Sequence, residues 1–191
     1  MTVLVFDSGA GGAHVAQVLA TAGIPTKLET FSQFFPFGDK SERQLLTLFK
    51  DYRAKTGQTT IFCACNTMSL VLKAHGYDFR ANNVIPTFPQ MDEGSAVCFG
   101  THNTIHYATL MSEHFNGVAV AGLVKCAEDL YQDRITLEQA QAKWDYYLAK
   151  YDKVQLGSTH LSYLAHRLGV ADKHVEPDYL CLYLNHIKAV A

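Results

Sequence analysis

The chain has 191 residues, 48% hydrophobic and 18% charged, with a formal net charge of −2. That size allows one large domain or two small lobes, and the composition is that of a soluble globular protein. A near-neutral charge leaves no electrostatic footprint for nucleic acid or an anionic membrane, and no apolar run approaches the ~20 residues that span a bilayer. The opening Met1-Thr2-Val3-Leu4-Val5-Phe6-Asp7 lacks a basic n-region, so no secretory signal is expected. Five cysteines at 63, 65, 98, 126 and 181 form no Cys-x-x-Cys and read as free thiols of a reducing cytoplasm.

In chain order, Val3 to Phe6 reads as a short buried strand that turns through Asp7-Ser8-Gly9-Ala10-Gly11-Gly12 into a helix bearing Val15, Val18 and Leu19. Thr26 to Thr30 is a second strand. Ser41 caps a helix over Glu42 to Ala54, with Leu45, Leu46, Leu48 and Phe49 on one side. A strand over Thr59 to Ala64 leads to a helix over Thr67 to Ala74. Val84 to Phe88, beside Pro86 and Pro89, marks a lobe crossing. Strands over Ala96 to Gly100 and Val118 to Ala121 bracket a helix over Thr104 to His114. Thr136 caps a helix reaching Lys150. Val154 to Gly157 is a strand, His160 to Leu168 a helix, the stretch near His174 to Glu176 a short strand, and Tyr179 to Val190 the last helix.

Alternating strands and helices predict an α/β fold with parallel sheets and right-handed crossovers, in which ligands bind beyond the carboxyl ends of the strands. Four of those ends carry small polar clusters: Asp7-Ser8, Cys65-Asn66-Thr67, Thr101-His102-Asn103-Thr104 and Ser158-Thr159-His160. Together they predict one cleft facing a small polar ligand. The Gly9-x-Gly11-Gly12 turn lacks the Gly-x-Gly-x-x-Gly pattern of a dinucleotide site. No His/carboxylate spacing of the metal-ligand kind occurs, so no metal is expected. His14, His102 and His106 read as surface or packing residues, and the aromatic pairs Phe34-Phe35 and Tyr146-Tyr147 as core or lobe-interface surface.

These residues resemble glutamate racemase and the wider aspartate/glutamate racemase superfamily. Phe6-Asp7-Ser8-Gly9-Ala10-Gly11-Gly12 is similar to the family's opening motif, and Pro36-Phe37-Gly38-Asp39-Lys40-Ser41 to its Pro-Tyr-Gly-x-Lys-Ser. Ala64-Cys65-Asn66-Thr67 matches the first catalytic-cysteine motif, and Leu156-Gly157-Ser158-Thr159-His160 resembles the second, normally Leu-Gly-Cys-Thr-His. Glu128 aligns with a family glutamate in the second lobe; a solvated helix face is the alternative. The motifs keep their order over most of the chain. Four departures stand out: Ser158 replaces the second cysteine, Phe37 replaces the tyrosine, the loop Phe31-Ser32-Gln33-Phe34-Phe35 is unusually apolar, and the second lobe is short.

The resemblance implies two pseudo-symmetric lobes with the active site between them: residues 1–88 plus 161–191 as the first, and 89–160 as the second. It implies cofactor-independent racemisation of glutamate or aspartate, supplying a D-amino acid for cell-wall peptidoglycan, in a cytoplasmic protein that is often a homodimer. Cys65 and the Ser158 position would be the acid/base pair, assisted by Asp7 and His160. Ser8, Phe37, Gly38, Asn66, Thr67 and Thr159 would hold the substrate, with Thr101, Thr104 and Glu128 also at the site. A hydroxyl, with a pKa near ~15.7, costs on the order of 10 kcal/mol more to ionise than a thiol near ~8.5, so Ser158 is not expected to act directly as a base. Three explanations of Ser158 stay open: a one-thiol lyase or isomerase, an inactive carboxylate-binding protein, or an introduced Cys→Ser substitution.

Overall fold

The computed structural model describes residues 2–89 and 97–190. Strand β1 (Val3–Asp7) is the hub of a four-stranded parallel sheet. It pairs on one side with β2 (Thr26–Thr30) and on the other with β3 (Ile61–Cys63), and β4 (Val84–Pro86) lies outside β3. The order is β2-β1-β3-β4. Alternation divides the side chains between two cores. Val3, Val5 and Phe62 face Val15, Leu19 and Tyr179, whereas Phe6, Ile61 and Cys63 face Leu45, Phe49 and Leu70.

Helix α1 (Ala10–Thr21) follows β1, α2 (Glu42–Thr56) follows β2, and α3 (Asn66–Ala74) follows β3. Ser41 caps α2 as expected, its hydroxyl accepting from Gln44 N–H while the Gln44 side chain accepts from Ser41 N–H. The helix runs two residues beyond Ala54 and stops at Gly57, whose φ of 57° breaks the helical path.

A second parallel sheet has the order β6-β5-β7, from β5 (Cys98–Gly100), β6 (Gly117–Ala119) and β7 (Gln155–Leu156). Val175 forms an isolated parallel bridge with Gln155, in the place β4 holds in the first sheet. The arrangement repeats the first sheet in reduced form: β5 corresponds to β1, β6 to β2 and β7 to β3. Around it lie α4 (His102–Met111), α5 (Ala121–Tyr131), α6 (Leu137–Leu148) and α7 (Thr159–Arg167), and α8 (Tyr179–Val190) ends the described chain. Phe99, Val120, Leu123, Trp144, Leu156, Leu161 and Leu164 form its core.

Several elements differ from the sequence reading. Helix α4 starts at His102 because Thr101, not a later residue, accepts the capping bond from Thr104 N–H. Helix α5 has no side-chain cap at Val120 and so carries no start signal, and the sequence reading gives it no element. The strand expected near residues 174–176 is reduced to the single bridge. Ala96, the expected start of the β5 strand, lies outside the described residues. Tyr146 is 79% exposed, so it is surface rather than core or interface.

The two halves interlock. Ala10 of α1 enters the second core, while Tyr107 and Ala108 of α4 enter the first. Helix α1 lies along α7, and α3 along α4, so equivalent helix pairs close both sides of the junction. Helix α8 returns to α1 and β4. Among the described residues, no helix is long and apolar enough to cross a membrane.

The capping box of α2 is a local device with no tertiary partner. Ser41→Ala is expected to cost about 1 kcal/mol, read as a lower urea midpoint with unchanged slope. An unaltered midpoint would remove the cap from the account of this helix.

Candidate functional site

In the order β2-β1-β3-β4 the chain leaves β1 in one direction and β3 in the other. The crevice between the carboxyl ends of β1 and β3 is therefore a topological switch point, where backbone does not cover the sheet edge. Asp7 ends β1, and Cys65 lies just beyond β3. In the second sheet the same logic selects the ends of β5 and β7, which present Thr101 and Ser158. Cys65 and Ser158 thus hold equivalent positions, each the N-terminal cap residue of the following helix with no capping bond from its side chain.

Around α1 the site is built of charge. Asp7 is fully buried, and its Oδ2 accepts from Gly12 N–H at 2.8 Å and Gly9 N–H at 3.2 Å. Glu128, from α5 in the other half, is also buried; its Oε2 accepts from Ala10 N–H at 2.8 Å and its Oε1 from the Gln132 amide at 2.9 Å. His160 lies between them, with Nδ1 4.0 Å from Asp7 Oδ2 and Nε2 3.2 Å from Glu128 Oε2, the latter without the alignment of a hydrogen bond. A helix N-terminus favours both carboxylates. Burial raises the Asp7 pKa despite His160 and three backbone N–H groups. Burial also acts upward on Glu128, but His160, Ala10 N–H and Gln132 outweigh it and hold this carboxyl below its usual range.

Two glycines make this approach possible. A Cβ on Gly9 would sit 2.1 Å from Glu128 Oε2, and one on Gly11 would sit 2.1 Å from Thr159 Oγ1. Either side chain would wedge α1 away from the opposite half.

Around α3 the site is built of hydroxyls. Thr67 Oγ1 lies 2.8 Å from Thr101 Oγ1 and 2.9 Å from Thr104 Oγ1, and the last two are 2.9 Å apart. This buried triangle joins the halves. Gly38 packs against Thr101, Asn103 donates to Lys40 C=O at 3.1 Å, and Tyr107 O–H donates to Glu42. Asn66 is buried, yet among the described residues neither its amide nitrogen nor its oxygen has a hydrogen-bond partner, and Asp7 Oδ1 has none either. Ser8 is buried beside Asp7.

Cys65 is partly buried, and burial lifts its thiol well above the usual range, with a further push from Asp7 and Cys63. The N–H groups of Met68 and Thr67 oppose that shift. Phe37 places its ring in the first core, 5.7 Å from that of Phe6, where it contributes packing. Phe35 covers His160, with ring centroids 5.2 Å apart.

The structure therefore brings Asp7, Glu128 and His160 into one cluster and Thr67, Thr101 and Thr104 into another, with Gly38 against Thr101 and Thr159 against Gly11. Glu128 is 2% exposed, so its place is the buried cluster and not a solvated helix face. His102 and His106 are exposed, as expected of surface residues. The sequence reading overlooked Gln132, which fixes Glu128, and a cavity of about 490 Å³ reaching Thr101, bordered by Lys125, Asp129 and Arg134. All four residues are on or just after α5. The apolar spacing of Leu123, Val124, Ala127 and Leu130 was the signal for that helix.

Asp7 has a pKa higher in the fold than in the open chain. Its contribution favours folding at low pH and is lost as pH rises through the folded value. Asp7→Asn removes the buried charge and keeps an oxygen for the two N–H groups. The variant is expected to have a higher urea midpoint than wild type at neutral pH, the gap closing as pH falls. Equal or lower stability at neutral pH would overturn this assignment.

No family model and no curated protein matches the sequence. Solved structures do match. Glutamate racemase from Escherichia coli, in complex with L-glutamate and the activator UDP-MurNAc-ala, superposes with a TM-score of 0.71 at 23% identity, over 96% of this chain and 80% of that one. Glutamate racemase from Campylobacter jejuni subsp. jejuni gives 0.69 at 20% identity, over 100% and 86%. The Thermus thermophilus enzyme, in complex with beta-chloro-D-alanine, gives 0.69 at 20% identity, over 98% and 79%. With its two parallel sheets flanked by helices, and its switch points turned toward one junction, the chain has the fold of the glutamate racemases.

Proposed function

We propose that this chain is a racemase-like protein of the aspartate/glutamate racemase superfamily that binds a small dicarboxylic amino acid and exchanges its α-proton through Cys65. The observation that carries the reading is the buried Asn66 amide at the start of α3, without a hydrogen-bond partner among the described residues and set in the chain between Cys65 and Thr67, whose hydroxyl meets Thr101 and Thr104. A buried polar group without a partner costs about 1–3 kcal/mol, a cost that a polar ligand in the crevice would offset. The helix N-termini after Cys65 and Ser158 favour carboxylates, and the E. coli structure was solved with L-glutamate.

In this reading Cys65, as thiolate, takes the proton from Cα, and the substrate ammonium offsets the push that Asp7 and Cys63 add to the burial that raises the thiol. Thr67, Thr101 and Thr104 would turn their hydroxyls from one another to a carboxylate. Return of a proton to the same face gives exchange without inversion. Inversion requires a donor on the opposite face, where Ser158 is too weak an acid and His160 is the nearest titratable group in sequence. A cytoplasmic setting and assembly as a homodimer belong to the same reading, the first supported by five free cysteines.

A second reading, ligand binding without turnover, is favoured by the raised thiol of Cys65 and by the closed hydroxyl triangle. The two separate cleanly. In deuterium oxide, the wild-type protein is expected to label the α-position of glutamate or aspartate, and Cys65→Ala to abolish labelling. Ser158→Cys is expected to raise racemisation by roughly 10²-fold or more. Amino-acid-induced thermal stabilisation with no labelling in either wild type or Ser158→Cys would establish the second reading and sink the first.

A further inference from the structure

Further along the helix pair that carries Ala10 and His160, three residues far apart in sequence converge. His14 lies on α1, His166 on α7, and Glu176 in the segment leading into α8. The imidazole centroids of His14 and His166 are 4.5 Å apart. His14 Nε2 is 3.9 Å from Glu176 Oε2, and His166 Nε2 is 2.5 Å from Glu176 Oε1. One candidate ligand atom from each residue lies within 4.8 Å of the other two. The His14 side chain is only 10% exposed. Its Nε2 and Glu176 Oε2 are both buried with no hydrogen-bond partner among the described residues. A cavity of about 320 Å³ adjoins the group, lined also by Val18, Asp178 and Tyr179.

We propose that His14, His166 and Glu176 form a zinc site that clamps α1, α7 and the segment entering α8. Two imidazoles and one carboxylate are a donor set that Zn²⁺ takes, with the fourth position left to solvent from the cavity. Bonds of about 2.0–2.1 Å place tetrahedral ligands about 3.4 Å apart. The present spacings bracket that value, and the half-exposed His166 supplies the freedom to adjust by about an ångström. The Tyr179 ring meets His14 edge-on at 5.8 Å, and its hydroxyl is bonded to Ser162 at 2.8 Å, which holds the wall against which His14 is oriented. Asp178 Oδ1 is engaged with Cys181 N–H at the start of α8 and is not counted as a ligand. The separation of 152 positions between His14 and His166 explains why spacing in the sequence predicts no metal site.

The proposal is independent of the racemase reading. The test uses full-length protein freed of metal by a chelator, titrated with Zn²⁺ by calorimetry and with Co²⁺ by visible absorption. Expected are one Zn²⁺ per chain, tetrahedral Co²⁺ bands without thiolate charge transfer, and a Tm rise of roughly 5–10 °C at a hundredfold excess over Kd. Glu176→Gln and His166→Ala are each expected to weaken binding at least about tenfold. His166 is half exposed, so its variant is expected to keep the metal-free Tm of the wild type and to separate lost binding from lost folding. Absence of stoichiometric binding, a cobalt–thiolate spectrum, or Zn²⁺ affinity unchanged in His166→Ala would overturn the proposal.

Discussion

The N-terminus of α1 receives two buried carboxylates from opposite halves of the molecule. Asp7 arrives from the strand before it and Glu128 from α5, and the N–H groups of Gly9, Ala10 and Gly12 hold both. The helix end is partly positive and favours both carboxylates, and His160 stands between them. The bond from Ala10 to Glu128 spans 118 positions and fixes how the second sheet sits against the first. Gly9 and Gly11 follow from it, since the approach leaves no room for a Cβ.

The threonine triangle closes the equivalent contact on the other side of the junction, where α3 meets α4. The repeat of β2-β1-β3 by β6-β5-β7 makes these two contacts counterparts. One is ionic and the other neutral. The same symmetry places a thiol and a hydroxyl at matching strand ends. An apolar loop adds to the asymmetry: Phe35 shields His160 from water, which strengthens the interactions of that ring with both carboxylates.

Local chemistry made much of the fold legible. Thr26–Thr30 and Tyr179–Val190 form over the spans expected, and Ser41 and Thr136 cap their helices because a hydroxyl followed three residues later by glutamine satisfies two orphan N–H groups within a single turn. Helix α5 carries no such start signal, because its cap residue Val120 makes no side-chain bond, and the ion pairs of Asp129 with Lys125 on the helix and Arg134 just after it were unplaced with it. Glu128 is the instructive residue. Read locally it is a glutamate of a solvated helix face, and the resemblance alone points to a site role; only the arrival of α1 from the other half makes it a buried partner of His160.

By itself, the sequence determined the alternating strands and helices, the polar groups at four strand ends, and the presence of a thiol at position 65 and a hydroxyl at position 158. These depend on contacts within a few residues, or on residue identity alone. Tertiary structure decided which carboxylates share a histidine, that Thr67 meets Thr101 and Thr104 across the junction, that the Phe37 ring is packing material, and that His14, His166 and Glu176 converge. Each of these rests on close approach between segments far apart in the chain. Such approach is set by how the two sheets pack, and residue spacing along the backbone carries no record of it.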